Sequence, residues 1–303
     1  MNRKYVFIAA MLLSVLLVSM GLTALYVNMS EKQEQSDEVL IVTSFYPMYI
    51  AALNVTDGID GVRLVNLSEP QTGCLHDFQL TPADMQLLST ADAFVINGGG
   101  IESFMESVAK SYPDLPVISA CDGIELIAEE DEHNAHAWMS IPAYRMQVEN
   151  IADGLAQLDS KHADEYRSNA GIYDEKLAKL QSRQEELALG MDFSSVILFH
   201  EAYAYVAQDF NLEVAYVMDL DEERQVSAGE VAEVLQEIEQ NDIPYIFAEE
   251  LYGGEMGRTV EAESDVKVIY LDPLNRGDYD KDSYIEGMQA NLDKLQAITD
   301  KKQ

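Results

Sequence analysis

The sequence predicts an α/β protein of two lobes, each with a small parallel sheet and crossover helices, joined by a long, rigid α-helix. Three observations carry this expectation. Two sets of short, branched, apolar runs occupy the two halves of the chain. A stretch from Ile141 to Leu189 with no strand signal separates them. The 48% hydrophobic content of the 303 residues is enough for ordinary cores, in a chain about two domains long.

Arg3 and Lys4 precede a run from Tyr5 to Met29 that carries no charged side chain, after which the chain turns polar at Ser30 to Glu38 (SEKQEQSDE). Residues 1–29 therefore read as a signal sequence or signal anchor and 30–38 as a polar linker, which places the remainder outside the cytoplasm. At about 1.5 Å per residue the run is long enough to span a bilayer, and an uncleaved anchor is the preferred reading. Cleavage near Gly21 or Ala24 is the alternative. No cysteine stands in or just after the run, so no lipid-modified anchor is expected.

The first lobe, 39–158, takes its strands from VLIVTSF (39–45), VRLVNL (62–67), AFVIN (93–97) and PVIS (116–119). Thr81-Pro82-Ala83-Asp84 combines a capping residue, a proline at the first helical position and an acidic residue three after the cap, so a helix starts there. Asn97-Gly98-Gly99-Gly100 follows a strand but lacks the spacing of a dinucleotide loop, and reads as a tight turn. Pro142 and Gly190 bracket the helical stretch. Within it Tyr166, Tyr173, Leu180 and Leu187 repeat every seven residues with Ala170 and Leu177 between, a narrow apolar stripe. A break near Asp159-Ser160 leaves a linking helix over 159–189, about 45 Å of strut. The second lobe, 190–303, takes its strands from VILF (196–199), EVAYV (213–217), PYIFA (244–248) and VKVIYL (266–271).

Four potential ligands leave the carboxyl ends of these strands, two from each lobe: His76, His136, His200 and Asp272. Ligands of open parallel sheets bind beyond the strand ends, so lobes facing each other there would converge three imidazoles and one carboxylate. Those groups suit Zn²⁺ and fill a tetrahedron. Glu249 and Glu250 end the strand at 244–248; Glu249 is expected to accept the second N–H of a ligand imidazole, or less readily to replace Asp272 as the fourth ligand. His133, in the short acidic run AEEDEHNAH, is at most a weak accessory contact, and His162 reads as a surface residue.

The balance of 54 acidic against 19 basic side chains, net −35, excludes a nucleic-acid partner and favours cations without naming one. Only Cys74 and Cys121 occur, and the sequence leaves a disulfide and two separate thiols equally open. Enzyme motifs are incomplete. HEAYA at 200 has Ala204 where a second zinc ligand would stand, and no nucleophile elbow or phosphate loop is present. A metal-dependent hydrolase with Glu201 as base, or a metal-binding adhesin, stays as an alternative class to a carrier.

From about Val39 onward the chain resembles the zinc and manganese solute-binding proteins of ABC importers. SFYPMYIAALNV resembles that family's first strand and helix, LHDFQLTPADMQLL its first-ligand loop, AHAWMSIP its second, FHEAYAYVAQDFNL its third and YLDPL its last. The resemblance implies two four-stranded lobes tied by a long helix, ligation by His76, His136, His200 and Asp272, a permease partner, and a monomer at the cell surface. A glutamate at the third position goes with Mn²⁺ in this family, so His200 points to Zn²⁺ uptake. Asn134-Ala135 and Met139-Ser140 depart from the family's usual Asp-Pro and Leu-Asp around the second ligand.

Overall fold

A computed structural model describes residues 16, 19–21, 23, 38–69, 78–129, 133–220 and 224–300. His76, Cys74 and most of the apolar run at 5–29 lie outside the described residues. Among the described residues no helix is long and apolar enough to cross a membrane. Leu40–Ile59 and Leu64–Gln303 form one compact unit, which holds both halves of the fold; Met1–Val39 and Asp60–Arg63 form another.

The eight expected strands are all present. β1 (Val39–Thr43), β2 (Val62–Asn66), β3 (Ala93–Ile96) and β4 (Val117–Ser119) form the first sheet, in the order β2-β1-β3-β4. β5 (Ser195–Leu198), β6 (Glu213–Val217), β7 (Tyr245–Ala248) and β8 (Lys267–Tyr270) form the second, in the order β6-β5-β7-β8. β1 pairs with β3 and β3 with β4 in parallel; so do β5 with β6, β5 with β7, and β7 with β8. Ala93–Ile96 and Tyr245–Ala248 are buried throughout, as expected of parallel strands covered on both faces. Both sheets therefore share one topology, and in each the chain reverses direction across the sheet between its first and third strands. That switch point is where an open α/β sheet opens a crevice for a ligand.

The helices are set by local chemistry. α1 spans Tyr46–Val55, α2 Pro82–Leu88 and α3 Met105–Ser111. Thr81 and Asp84 exchange hydrogen bonds in a full capping box at the start of α2. α4 (Ile141–Leu158) starts where Ser140 Oγ accepts from Ala143 N at 3.3 Å. α5 (Ala163–Leu189) is the long helix, 27 residues or about 40 Å. α6 (Tyr203–Asp209), α7 (Ala228–Asn241), α8 (Glu250–Glu263) and α9 (Ser283–Asp300) complete the second half.

The stripe on α5 differs from expectation at its end. Tyr166, Ala170, Tyr173, Leu177 and Leu180 are buried, but Gln184 rather than Leu187 completes the row, because its Nε2 donates to Asp209 Oδ2 on α6 at 2.8 Å. Gly190 follows the helix with φ −92°, so its left-handed freedom is not used. His162 is a second correction: it is buried, not on the surface, with Nδ1 2.6 Å from Asp159 Oδ2. The break between α4 and α5 is thus a closed local knot. Burial would raise the Asp159 carboxyl, but bonds from His162 and Tyr166 outweigh it and hold it below its ordinary range. Between the halves Tyr144 of α4 stacks on Tyr284 of α9, with ring centroids 3.7 Å apart. Cys121 is a free, buried thiol pushed up to about 12 by burial.

Candidate metal centre

The segment before α4 carries His136. Asn134 precedes it by two residues, and its Oδ1 accepts from the His136 backbone N–H at 3.0 Å, an Asx turn. The same oxygen lies 3.1 Å from His136 Nδ1. With Nδ1 protonated, that contact is a hydrogen bond and Nε2 carries the ring's lone pair. A single 3₁₀ turn, Ala137–Met139, then leads into the Ser140 cap. The departure from the family's Asp-Pro is therefore accommodated, since Asn134 orients the ring through its carbonyl.

His200 leaves β5 after one residue, Phe199, and is fully buried. Its ring centroid is 5.2 Å from that of His136, with the planes at 85°. Each imidazole has a carboxylate beside it. Glu201 Oε1 is 3.4 Å from His136 Nδ1, and Glu249 Oε2 is 3.8 Å from His200 Nδ1. Glu249 is buried at the start of α8, and Arg276 Nη2 pairs with its Oε1 at 3.1 Å. A buried carboxylate is costly unless paired, and here the guanidinium supplies the counter-charge beside the ring. Glu250, by contrast, is exposed in the first turn of α8.

Asp272 follows β8 and is itself exposed, although Leu271 before it and Pro273, Leu274 and Asn275 after it are buried. Its Oδ1 accepts from Leu274 N at 2.8 Å, a second Asx turn, while Asn291 clasps its backbone N and O at 2.8 Å each. Both neighbouring carbonyls are fastened to the histidine segments. Tyr203 OH, three residues after His200, donates to Leu271 O at 2.7 Å. Trp138 Nε1, two residues after His136, donates to Pro273 O at 2.9 Å. A third stitch joins Asn134 Nδ2 to Glu201 O at 3.0 Å.

The structure thus brings His136 and His200 together and ties the Asp272 loop to both. Among the described residues no group of three or more His, Cys, Asp and Glu closes around one point, and His76 lies outside them. His133 is exposed, in a lone bridge with Ala128. Sequence reasoning missed Asn134 and Arg276 as partners of the site. The first had a local signal, an Asx residue two before the histidine. The second had none, because Arg276 meets Glu249 only through the fold.

The described donors are borderline nitrogen and carboxylate oxygen groups, a set that accepts a divalent transition ion. The family model described as zinc-uptake complex component A, periplasmic, matches residues 41–298. The chain is 26% identical over 282 residues to the high-affinity zinc uptake system protein ZnuA of Bacillus subtilis, covering 86% of this chain and 88% of that one. It is 24% identical over 268 residues to the manganese-binding lipoprotein MntA of Halalkalibacterium halodurans, covering 86% and 88%. Among solved structures, the solute-binding protein FpvC of Pseudomonas aeruginosa with Ni²⁺ superposes with a TM-score of 0.76 at 28% identity, covering 87% of this chain and 98% of that one. The match over nearly the whole chain, together with the paired sheets and long helix, places this protein in the zinc and manganese solute-binding family of ABC uptake systems.

Proposed function

We propose that this protein captures Zn²⁺ outside the cytoplasm and delivers it to the permease of an ABC importer. The ion is its cargo, held by His136 and His200 with His76 and Asp272 between an N-terminal lobe (39–158) and a C-terminal lobe (190–303) tied by the helix at 159–189. The observation that carries the reading is the approach of two buried imidazoles from opposite halves of the chain, each with a carboxylate at its Nδ1 side. Such partners fix ring orientation and raise the basicity of the lone pair offered to a metal. Glu201 sits beside His136 Nδ1, which fits an orienting role better than that of a base acting on a metal-bound water.

Zinc is favoured over manganese because the third position is an imidazole, and Mn²⁺ prefers oxygen donors. Release follows when the loop holding Asp272 lets go of Tyr203 and Trp138, since the aromatic packing between α4 and α9 resists wholesale lobe movement. Residues 1–29 export the chain, as a retained anchor or as a cleaved signal, and the carrier acts as a monomer at the cell surface. Elemental analysis of the full chain, with His76→Ala and His200→Ala alongside, tests this. One zinc per wild-type chain and loss in both variants is expected. Metal-free wild type, or zinc retained in both variants, overturns it.

A further inference from the structure

The turn Asn97-Gly98-Gly99-Gly100 and the buried Glu102 have no part in the site described above, yet they meet. Glu102 Oε1 accepts from Ser44 Oγ at 2.8 Å and from Asn97 N at 2.7 Å, and Oε2 from Gly98 N at 3.1 Å. Ser44 follows β1 and Asn97 follows β3, so the carboxylate plugs the switch point of the first sheet. The Asn97 side chain then reaches outward. Its Nδ2 donates to Ala135 O at 2.9 Å and to Gly98 O at 2.8 Å, while its Oδ1 accepts from Gln147 Nε2 at 2.8 Å.

Ala135 immediately precedes His136. The turn also shapes the bed on which Ala135 lies. Gly98, Gly99 and Gly100 all have positive φ, at 82°, 70° and 100°. A Cβ on Gly99 would stand 2.8 Å from Leu126 Cδ1 and 3.3 Å from Ala135 Cβ. His136 is therefore held from two sides, by Asn134 stitched to the second half and by Ala135 seated on the first.

We propose that Glu102 is a positioning residue for metal capture: by clamping the amides of Asn97 and Gly98 it holds the Asn97 side chain on the Ala135 carbonyl, and so sets where the His136 imidazole stands. The inference rests on the metal-carrier reading. A carboxylate suits the task because it offers acceptors on both oxygens, whereas a glutamine keeps one acceptor and turns its NH₂ toward an N–H that the other oxygen now receives. Burial works against it, lifting Glu102 to about 7 despite the hydrogen bonds that favour its charged form.

The test uses the full chain with Co²⁺ as a spectroscopic probe and Zn²⁺ by competition with a chromogenic chelator, in wild type, Glu102→Gln and Asn97→Ala. Losing a group that orients a ligand costs about 10- to 100-fold in metal affinity, and that loss is expected in both variants. The Co²⁺ visible bands should change in position and intensity, a readout that weaker packing alone would not move. Should Glu102→Gln fail to fold, Asn97→Ala decides, since it leaves the bonds from Glu102 to the backbone amides in place. Wild-type affinity and bands in the folded variants overturn the inference and leave the carrier reading standing. Wild type that takes up neither ion overturns both.

Discussion

The two sheets share a topology but spend their switch points differently. Beyond β5 and β7 the second half places His200 and Glu249, with Nδ1 and Oε2 3.8 Å apart and Arg276 behind the carboxylate. Beyond β1 and β3 the first half places Ser44 and Asn97, bridged by Glu102. One crevice holds a buried imidazole beside a paired carboxylate. The other is filled by a carboxylate that accepts from the Asn97 and Gly98 amides and the Ser44 hydroxyl, and its histidine, His136, arrives on a separate segment after β4. The difference teaches that the fold fixes where a crevice lies, while the side chains at the strand ends decide whether it is a site or a foundation.

Removing the imidazole at the second crevice is the harshest way to break this comparison. His200→Ala should lose more than the roughly 100-fold that an orienting partner is worth, bringing zinc well below one per chain by elemental analysis. Acidification strikes both histidines at once. An imidazole binds a metal only through an unprotonated nitrogen, so calorimetry from pH 8 to pH 5 should show zinc affinity falling steeply as protons compete for the rings. Equal affinity at the two ends of that range would contradict histidine ligation.

Glu249→Gln sharpens the contrast more gently. It keeps the shape beside His200 but removes the charge that faces Arg276, and affinity should drop about 10- to 100-fold by chelator competition. The smallest effect concerns stability at the first crevice. Glu102 is raised from 4.5 to about 7 in the folded chain, so proton binding there adds stability that is full below pH 4.5 and lost as pH rises through 7. Every other titratable group is common to wild type and Glu102→Gln. The comparison is therefore between variants: from pH 6 to pH 8 the melting temperature of metal-free wild type should fall by a few degrees more than that of Glu102→Gln. Parallel curves for the two proteins would show that Glu102 does not titrate there.

Much of the architecture was legible because its causes are local. Branched apolar runs became strands within one residue of their expected ends, save that β1 stops at Thr43, two residues short, and Thr81 with Asp84 and Ser140 capped helices where the pattern placed them. The misreadings have long-range causes. His162 has the surroundings of a surface residue in sequence, but a break in the helix folds it back onto Asp159. Leu187 gave way to Gln184 because the stripe passes beneath α6, where Asp209 waits for a donor.

The same division runs through the candidate site. Periodicity and strand ends placed His136, His200 and Asp272 on loops at one end of the sheets, and the Asx turn at Asn134 is written in residues two apart. Those interactions form within a few residues, so composition and spacing determine them. Only the tertiary structure decided that Asn134 reaches Glu201, 67 residues on, that Trp138 holds Pro273, 135 residues on, and that Arg276 neutralises Glu249 beside a buried ring. Such pairings depend on how two cores pack against each other, and their energy is realised only when burial removes the water that would otherwise satisfy every group alone.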